Sequence, residues 1–232
     1  MKKSRVILNG ILIAIFAMIP LLFIQGCSDD TVTPTAIDNI AMTTYGTANY
    51  TDLLDSLKLD TVKILIKDIK LNVANSSDST NFKVGPFVFF LNLDGSVNQM
   101  TTAQIPAGNY DKLKFEIHKL ESSETPPDPE FKDSTGMYST IVKGYFNGAY
   151  FLFKSGVSVH QKLNFPTSIS VTTDAQTNIT LTAEPYKWFY KNGNFLNPSD
   201  PANRNDIENN IKNNVNNNFK AYKDNNKDGI PD

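Results

Sequence analysis

Thr61-Val62-Lys63-Ile64-Leu65-Ile66-Lys67-Asp68-Ile69-Lys70-Leu71-Asn72-Val73 is the stretch whose reading decides the fold. Val62, Ile64 and Ile66 occupy alternate positions, and Ile69, Leu71 and Val73 resume the alternation one residue out of phase. Successive side chains of a strand point to opposite faces, so a period of two marks a strand with one buried face. A single slip of phase keeps that face buried only if the strand bulges, which predicts a β-bulge near Lys67-Asp68.

Working outward, Phe87, Phe89, Leu91 and Leu93 form a second alternating run, ended by Asp94-Gly95. Leu113, Phe115 and Ile117 form a third, alternating with Lys112, Lys114, Glu116 and His118, and Ile169 with Val171 and Ile179 with Leu181 and Ala183 supply two more. Between Ile141 and Phe153, Asn147-Gly148 separates two apolar arms, and this dipeptide tolerates the positive φ that a type I′ hairpin turn requires. Asn192-Gly193, after Trp188-Phe189-Tyr190, predicts another turn. Short strands punctuated by turns, without helical periods between them, predict a mainly β chain folded as an antiparallel β-sandwich over residues 37–198.

Two segments depart from this pattern. Residues 121–136, rich in Pro, Ser and acid, predict a mobile surface loop, either a solvated excursion or a ligand-binding loop. Toward the end, Asp200-Pro201 offers an N-cap and a first-turn proline, and Ile207, Ile211, Val215, Phe219 and Tyr222 follow at helical spacing. That predicts an amphipathic helix over 199–223, docked on the sandwich because its asparagines are mediocre helix formers. Trp188, Phe189 and Tyr190 read as core or as the surface for that helix, with a sugar platform as the alternative.

The chain opens with Lys2, Lys3 and Arg5 and an apolar stretch from Val6 to Ile24, the charged and greasy regions of a secretory signal. Ile24-Gln25-Gly26-Cys27 resembles the lipobox of bacterial lipoproteins, although Gln25 stands where a small residue is usual. Cys27 is the only cysteine, so no internal disulfide is available and lipidation accounts for it. The expectation is a signal peptide over 1–26, an acylated, palmitate-labelled Cys27 and a tether over 27–36. Ser28-Asp29-Asp30 resembles the acidic export signal of surface lipoproteins of the Bacteroidetes and also reads as part of an ordinary solvated tether. Localisation is therefore expected at the outer membrane, on the cell surface or otherwise on its periplasmic face.

Removing residues 1–26 takes three of the 22 basic residues and none of the 24 acidic ones, leaving 19 against 24 and a net charge of −5. No run of Lys or Arg offers the basic face that nucleic-acid binding needs, so that partner is not expected.

Val62 to Val73, Gly85-Pro86 with the strand after it, Ile105-Pro106-Ala107-Gly108-Asn109-Tyr110 and Val142-Lys143-Gly144-Tyr145-Phe146-Asn147-Gly148 together resemble the bacterial lipoprotein β-sandwich family called domain of unknown function 4382. The resemblance implies a fold and a cell-envelope setting and carries no catalytic residues. Independently of it, Pro106 and Gly108 turn the chain into a strand that Tyr110 opens.

Nucleophilic catalysis would need a base beside Ser, Thr or Cys, and His118 and His160 are the only histidines. Neither a Gly-x-Ser-x-Gly elbow nor a His-Glu-x-x-His helix occurs. Ser158 and His160 share a strand face by alternation, which reads as ordinary surface, and a spatial pair of carboxylates is not legible in sequence.

The sharpest chemical pattern is terminal: Asp224-Asn225-Asn226-Lys227-Asp228-Gly229-Ile230-Pro231-Asp232. Oxygen side chains at Asp224, Asn226 and Asp228, a backbone carbonyl at Ile230, an acid at Asp232 and glycine at the sixth position match the alternating ligands of calcium loops. The ending resembles a thrombospondin type 3 repeat, and a polar tail whose Asp-Gly simply turns is the alternative. Calcium is thus the expected ligand, with no organic cofactor.

The function expected from these readings is a non-enzymatic surface lipoprotein, held to the membrane through Cys27, that binds glycan, matrix or an envelope protein. The alternatives are a periplasmic accessory subunit of an outer-membrane complex and a hydrolase with an unrecognised carboxylate site.

Overall fold

The computed structural model describes residues 38–47, 56–91, 93–213 and 218–232. The expected signal sequence, Cys27, the tether and Val215 lie outside them. In chain order the strands are β1 (Ile40–Thr47), β2 (Leu57–Val73), β3 (Ser79–Leu91), β4 (Asp94–Ala103), β5 (Gly108–Ile117), β6 (Lys132–Asp133), β7 (Gly136–Met137), β8 (Thr140–Phe146), β9 (Ala149–Ser155), β10 (Val159–Val171), β11 (Thr177–Ala183), β12 (Tyr190–Lys191) and β13 (Asn194–Phe195), followed by helix α1 (Arg204–Lys212) and strand β14 (Phe219–Lys223). The chain is mainly β, and these elements build a sandwich of a four-stranded sheet, ordered β14-β11-β1-β4, and a six-stranded one. Among the described residues β1 and β11 form the only parallel pair.

β2 organises the larger sheet. The alternation slips between Ile66 and Asp68, where the pairing with β3 shifts register, so the bulge keeps both halves of the strand facing inward. β3 takes one edge of β2, from Val62 opposite Leu91 to Asn72 opposite Ser79. On the other edge β8 and β5 lie end to end, with Thr140 opposite Ile64 and Ile117 opposite Ile66. β9 and β10 extend them outward. Ile64, Phe89, Phe115, Leu181, Trp188 and Phe219 are buried in the resulting core. At the entry to β5, Tyr110 is buried and its hydroxyl donates to the Pro106 carbonyl at 2.7 Å, which pins the Pro-Ala-Gly turn. Asn147 and Gly148 adopt φ of 48° and 77°, as the I′ hairpin between β8 and β9 demands.

Residues 118–139 leave the sheet between the collinear β5 and β8, and they differ from the free surface loop expected of such a polar segment. They form a strap across the outer face of the larger sheet. Phe131, in the 3-10 turn Pro129–Phe131, is fully buried and packs with Leu120 against Leu65 and Ile141, the outward-facing residues of β2 and β8. Acids of the strap pair with lysines of the sheet: Asp128 and Glu130 with Lys63 at 2.7 and 2.9 Å, Glu130 with Lys143 at 2.5 Å, and Asp133 with Lys154 at 2.8 Å. One aromatic plug and complementary charge hold a segment with little other apolar surface.

The helix expected over 199–223 is also corrected. Asp200 caps a 3-10 turn, Pro201–Asn203, by accepting from the Ala202 amide at 2.9 Å, and α1 then ends at Lys212. Ile207 and Ile211 dock in the core beside Trp188 and Phe189, and Asn210 donates to the Trp188 carbonyl at 2.8 Å. Five of the six residues at 213–218 are asparagine, a mediocre helix former. Phe219 and Tyr222 belong instead to β14, which pairs with the edge of β11 and turns Phe219 and Ala221 into the core.

Candidate functional site

The chain end folds over the four-stranded sheet. Asp224, directly after β14, is fully buried. Its carboxylate accepts from the Thr180 hydroxyl at 2.6 Å, the Asp228 amide at 3.1 Å and the Gly229 amide at 3.0 Å. Its carbonyl accepts from Asn178 at 2.7 Å, and Thr43 and Thr180 share a hydroxyl contact at 2.6 Å beneath it. No lysine or arginine pairs with Asp224 among the described residues. Burial of an anion without a counter-charge is costly, and here only neutral donors offset it.

The same turns draw Asn226 and Asp228 together. The Asn226 amide donates to Asp228 at 2.9 Å, the Asn226 side-chain oxygen accepts from the Asp228 amide, and Asp228 accepts from the Ile230 amide. Lys227 and Gly229 take φ of 58° and 83° to close the loop. A Cβ on Gly229 would meet the Tyr45 ring at 3.0 Å, so glycine is needed for both conformation and contact. Asp232 is committed elsewhere: its carboxylate accepts from the Asn225 amide at 3.0 Å and pairs with Lys223 at 3.4 Å, with both contacts holding its pKa below the ordinary value. Thus Asp224, Asn226 and Asp228 share one turn while Asp232 faces Lys223, and no group of three acidic, His or Cys side chains forms a metal cluster among the described residues.

The Tyr222 hydroxyl donates to the Gly229 carbonyl at 2.5 Å, and burial, reinforced by Asp224, Tyr45 and Asp228, pushes its pKa up to about 12. Tyr222, Tyr45 and Pro231 then line a groove of about 650 Å³ that also takes in Lys162 of β10, Lys220 of β14 and Glu184. β10 and β14 border the groove, each at the end of its sheet's strand order. A volume of this size, with aromatic walls and a few charged groups, lies in the range that holds small ligands, about 300 to 1,000 Å³.

The other candidates from sequence resolve differently. Ser158 accepts from the Lys119 amide at 2.9 Å and serves the backbone where β9 gives way to β10. His118 lies 3.3 Å from Glu116 on the outer face. Trp188 and Phe189 are core. The groove was not legible in sequence, because Tyr45, Lys162 and Tyr222 come from three distant strands. No helix among the described residues is long and apolar enough to cross a membrane. Comparisons with protein-family models, curated proteins and solved structures find no match.

Proposed function

We propose that this chain is a lipoprotein anchored through Cys27 and displayed at the cell surface, with a non-catalytic role in binding a glycan or an envelope partner. The lipobox-like Ile24-Gln25-Gly26-Cys27 supports the anchor. The observation that carries the binding reading is the groove between β10 and β14, with Tyr45 and Tyr222 as apolar walls and Lys162, Glu184 and Lys220 as polar contacts. Palmitate labelling of the wild type and of Cys27→Ser tests the anchor, and labelling that survives the substitution removes it. Protease treatment of intact cells tests display: protection of the chain would favour the periplasmic subunit. Glycan-array binding by the purified chain, compared with Tyr222→Ala, tests the groove, and identical binding by both discards that site.

Calcium at the terminal loop belongs to the same proposal. Among the described residues the buried Asp224 lacks a cationic partner, and Asn226 and Asp228 add side-chain oxygens on the same turn, the hard donors that this ion takes. Those three would hold it with the Ile230 carbonyl; Asp232, the further ligand proposed from spacing, would have to give up Lys223 and the Asn225 amide to join them. Extracellular modules bind calcium at about 0.1 to 1 mM. Hydrogen exchange over residues 218–232, with millimolar calcium, with chelator and in Asp228→Ala, tests it. Identical exchange in all three samples leaves only the polar tail.

A further inference from the structure

Three lysines stand side by side on the outer face of the larger sheet. Lys114 of β5 lies directly opposite Lys70 of β2 on one side and Lys162 of β10 on the other. Neighbouring strands are about 4.8 Å apart, so the rung presents three ammonium-bearing side chains in a line at that interval. Like charges directly opposite one another destabilise a sheet. Lys70 has Asp68 at 3.0 Å, but neither Lys114 nor Lys162 has an acidic partner among the described residues.

The three lysines share a concavity of about 480 Å³ with Ser79 and His160. The acids that face it are Asp68 and Glu116, and both are engaged: Asp68 with Lys70, Glu116 with Lys67 at 3.6 Å and His118 at 3.3 Å. Exposed amides flank the line, Asn81 opposite Lys70 and Asn164 on the next rung opposite Lys112. Lys112 is itself tied to Asp111 at 2.6 Å. Phe115 is buried and His160 is the single exposed ring in the concavity, too little for the row of stacking platforms that a single-stranded nucleic acid needs. We infer that the Lys70–Lys114–Lys162 rung is a binding site for a linear acidic polysaccharide, carboxylated or sulfated, whose anionic groups meet the lysines while its hydroxyls meet Asn81, Asn164 and Ser79. Lys162 is shared with the groove between β10 and β14, whereas Lys70 and Lys114 line this concavity and not that groove, so Lys114→Gln separates the two sites.

The test uses the full chain in detergent micelles, with chelator present so that a calcium bridge contributes nothing, over immobilised polygalacturonate, dextran sulfate and neutral dextran. Binding to one or both acidic polymers and not to dextran is expected, and the polymer preferred tells a carboxylated from a sulfated ligand. Raising the salt from about 0.05 to 0.5 M should weaken it strongly. The triple substitution Lys70→Gln, Lys114→Gln, Lys162→Gln should lower affinity by about thirtyfold, as three surface ion pairs of about threefold each would. A control triple of equal charge change elsewhere, Lys58→Gln, Lys119→Gln, Lys191→Gln, should stay within about twofold of wild type. Should the rung triple fail to fold, Lys114→Gln alone is expected to show a reduction of about threefold. Equal loss in both triples, equal binding to dextran, or no binding at all would overturn the assignment. So would binding to phosphatidylglycerol vesicles without binding to either polymer, which would make the face a membrane contact.

Discussion

The Lys63 ammonium, in the middle of β2, lies 2.7 Å from the Asp128 carboxylate on the strap that crosses the sheet. Burial alone would lower the pKa of Lys63, but its bonds to Asp128 and Glu130 outweigh burial and raise it above 10.5. The Lys63 hydrogen bond holds Asp128 below 3.8, and bonds from Lys143 and then Lys63 hold Glu130 below 4.5. The carboxylates therefore contribute stability above those ordinary values and lose it as pH falls through their lower folded ones. Lys63 contributes below 10.5 and loses its contribution as pH rises through its higher folded value. Strap protection, read by hydrogen exchange over 118–139, should form a plateau between about pH 5 and 10 and fall on both sides. Lys63→Met should cost about 1 to 2 kcal/mol, between the values for exposed and buried pairs, and flatten the acid limb.

Phe131 makes a second prediction that separates plug from clasp. Its side chain is fully buried against Leu65 and Ile141, away from the main core. Phe131→Ala should cost about 3 kcal/mol, the low end for a large cavity, because the strap can relax toward the sheet. The loss should be local, with faster proteolysis at 121–136 and little change in exchange across β1 and β11. Equal loosening of both sheets would show that the strap is part of the global folding unit.

Periodicity made the sandwich legible where one residue in two faces a common core. The bulge at Asp68, the inward set of β5 and the Asn147-Gly148 turn all follow from local pattern, because pleat and turn geometry are local properties. The strap and the last strand were not legible. Phe131 is a single apolar residue among polar ones, and its partners Leu65 and Ile141 occupy the face that alternation assigns to water. Phe219 and Tyr222 are spaced for a helix, yet a free edge on β11 decided for a strand, a tertiary effect that spacing alone does not contain. The lysine rung was invisible for a similar reason: Lys70, Lys114 and Lys162 are far apart in sequence and meet only through register.

At the β8–β9 hairpin both central residues have positive φ, and β-branched residues resist that region. Replacing Asn147-Gly148 by Val-Val should cost about 1 to 2 kcal/mol per position and lower the melting temperature by several degrees. The Tyr145–Tyr150 edge contact, with ring centroids 5.8 Å apart, sits immediately outside the turn and should be lost with it. Thermal melts with tyrosine near-ultraviolet dichroism measure both effects, and an unchanged melt would mean that the turn can be rebuilt without positive φ.

The rung makes a final prediction about stability alone. Lys114 is flanked across the strands by Lys70 and Lys162, an arrangement unfavourable to the fold. Lys114→Glu converts two repulsive cross-strand neighbours into two attractive ones, each worth about 0.2 to 1 kcal/mol. The melting temperature should therefore rise, by about 1 to 5 °C for a chain of this size. The gain should shrink in high salt, because exposed charges are screened within about 3 Å at 1 M. Lys114→Met, which removes repulsion without adding attraction, should lie between wild type and Lys114→Glu. A lower melting temperature for Lys114→Glu would show that the lysines splay apart in solution and do not repel across the rung.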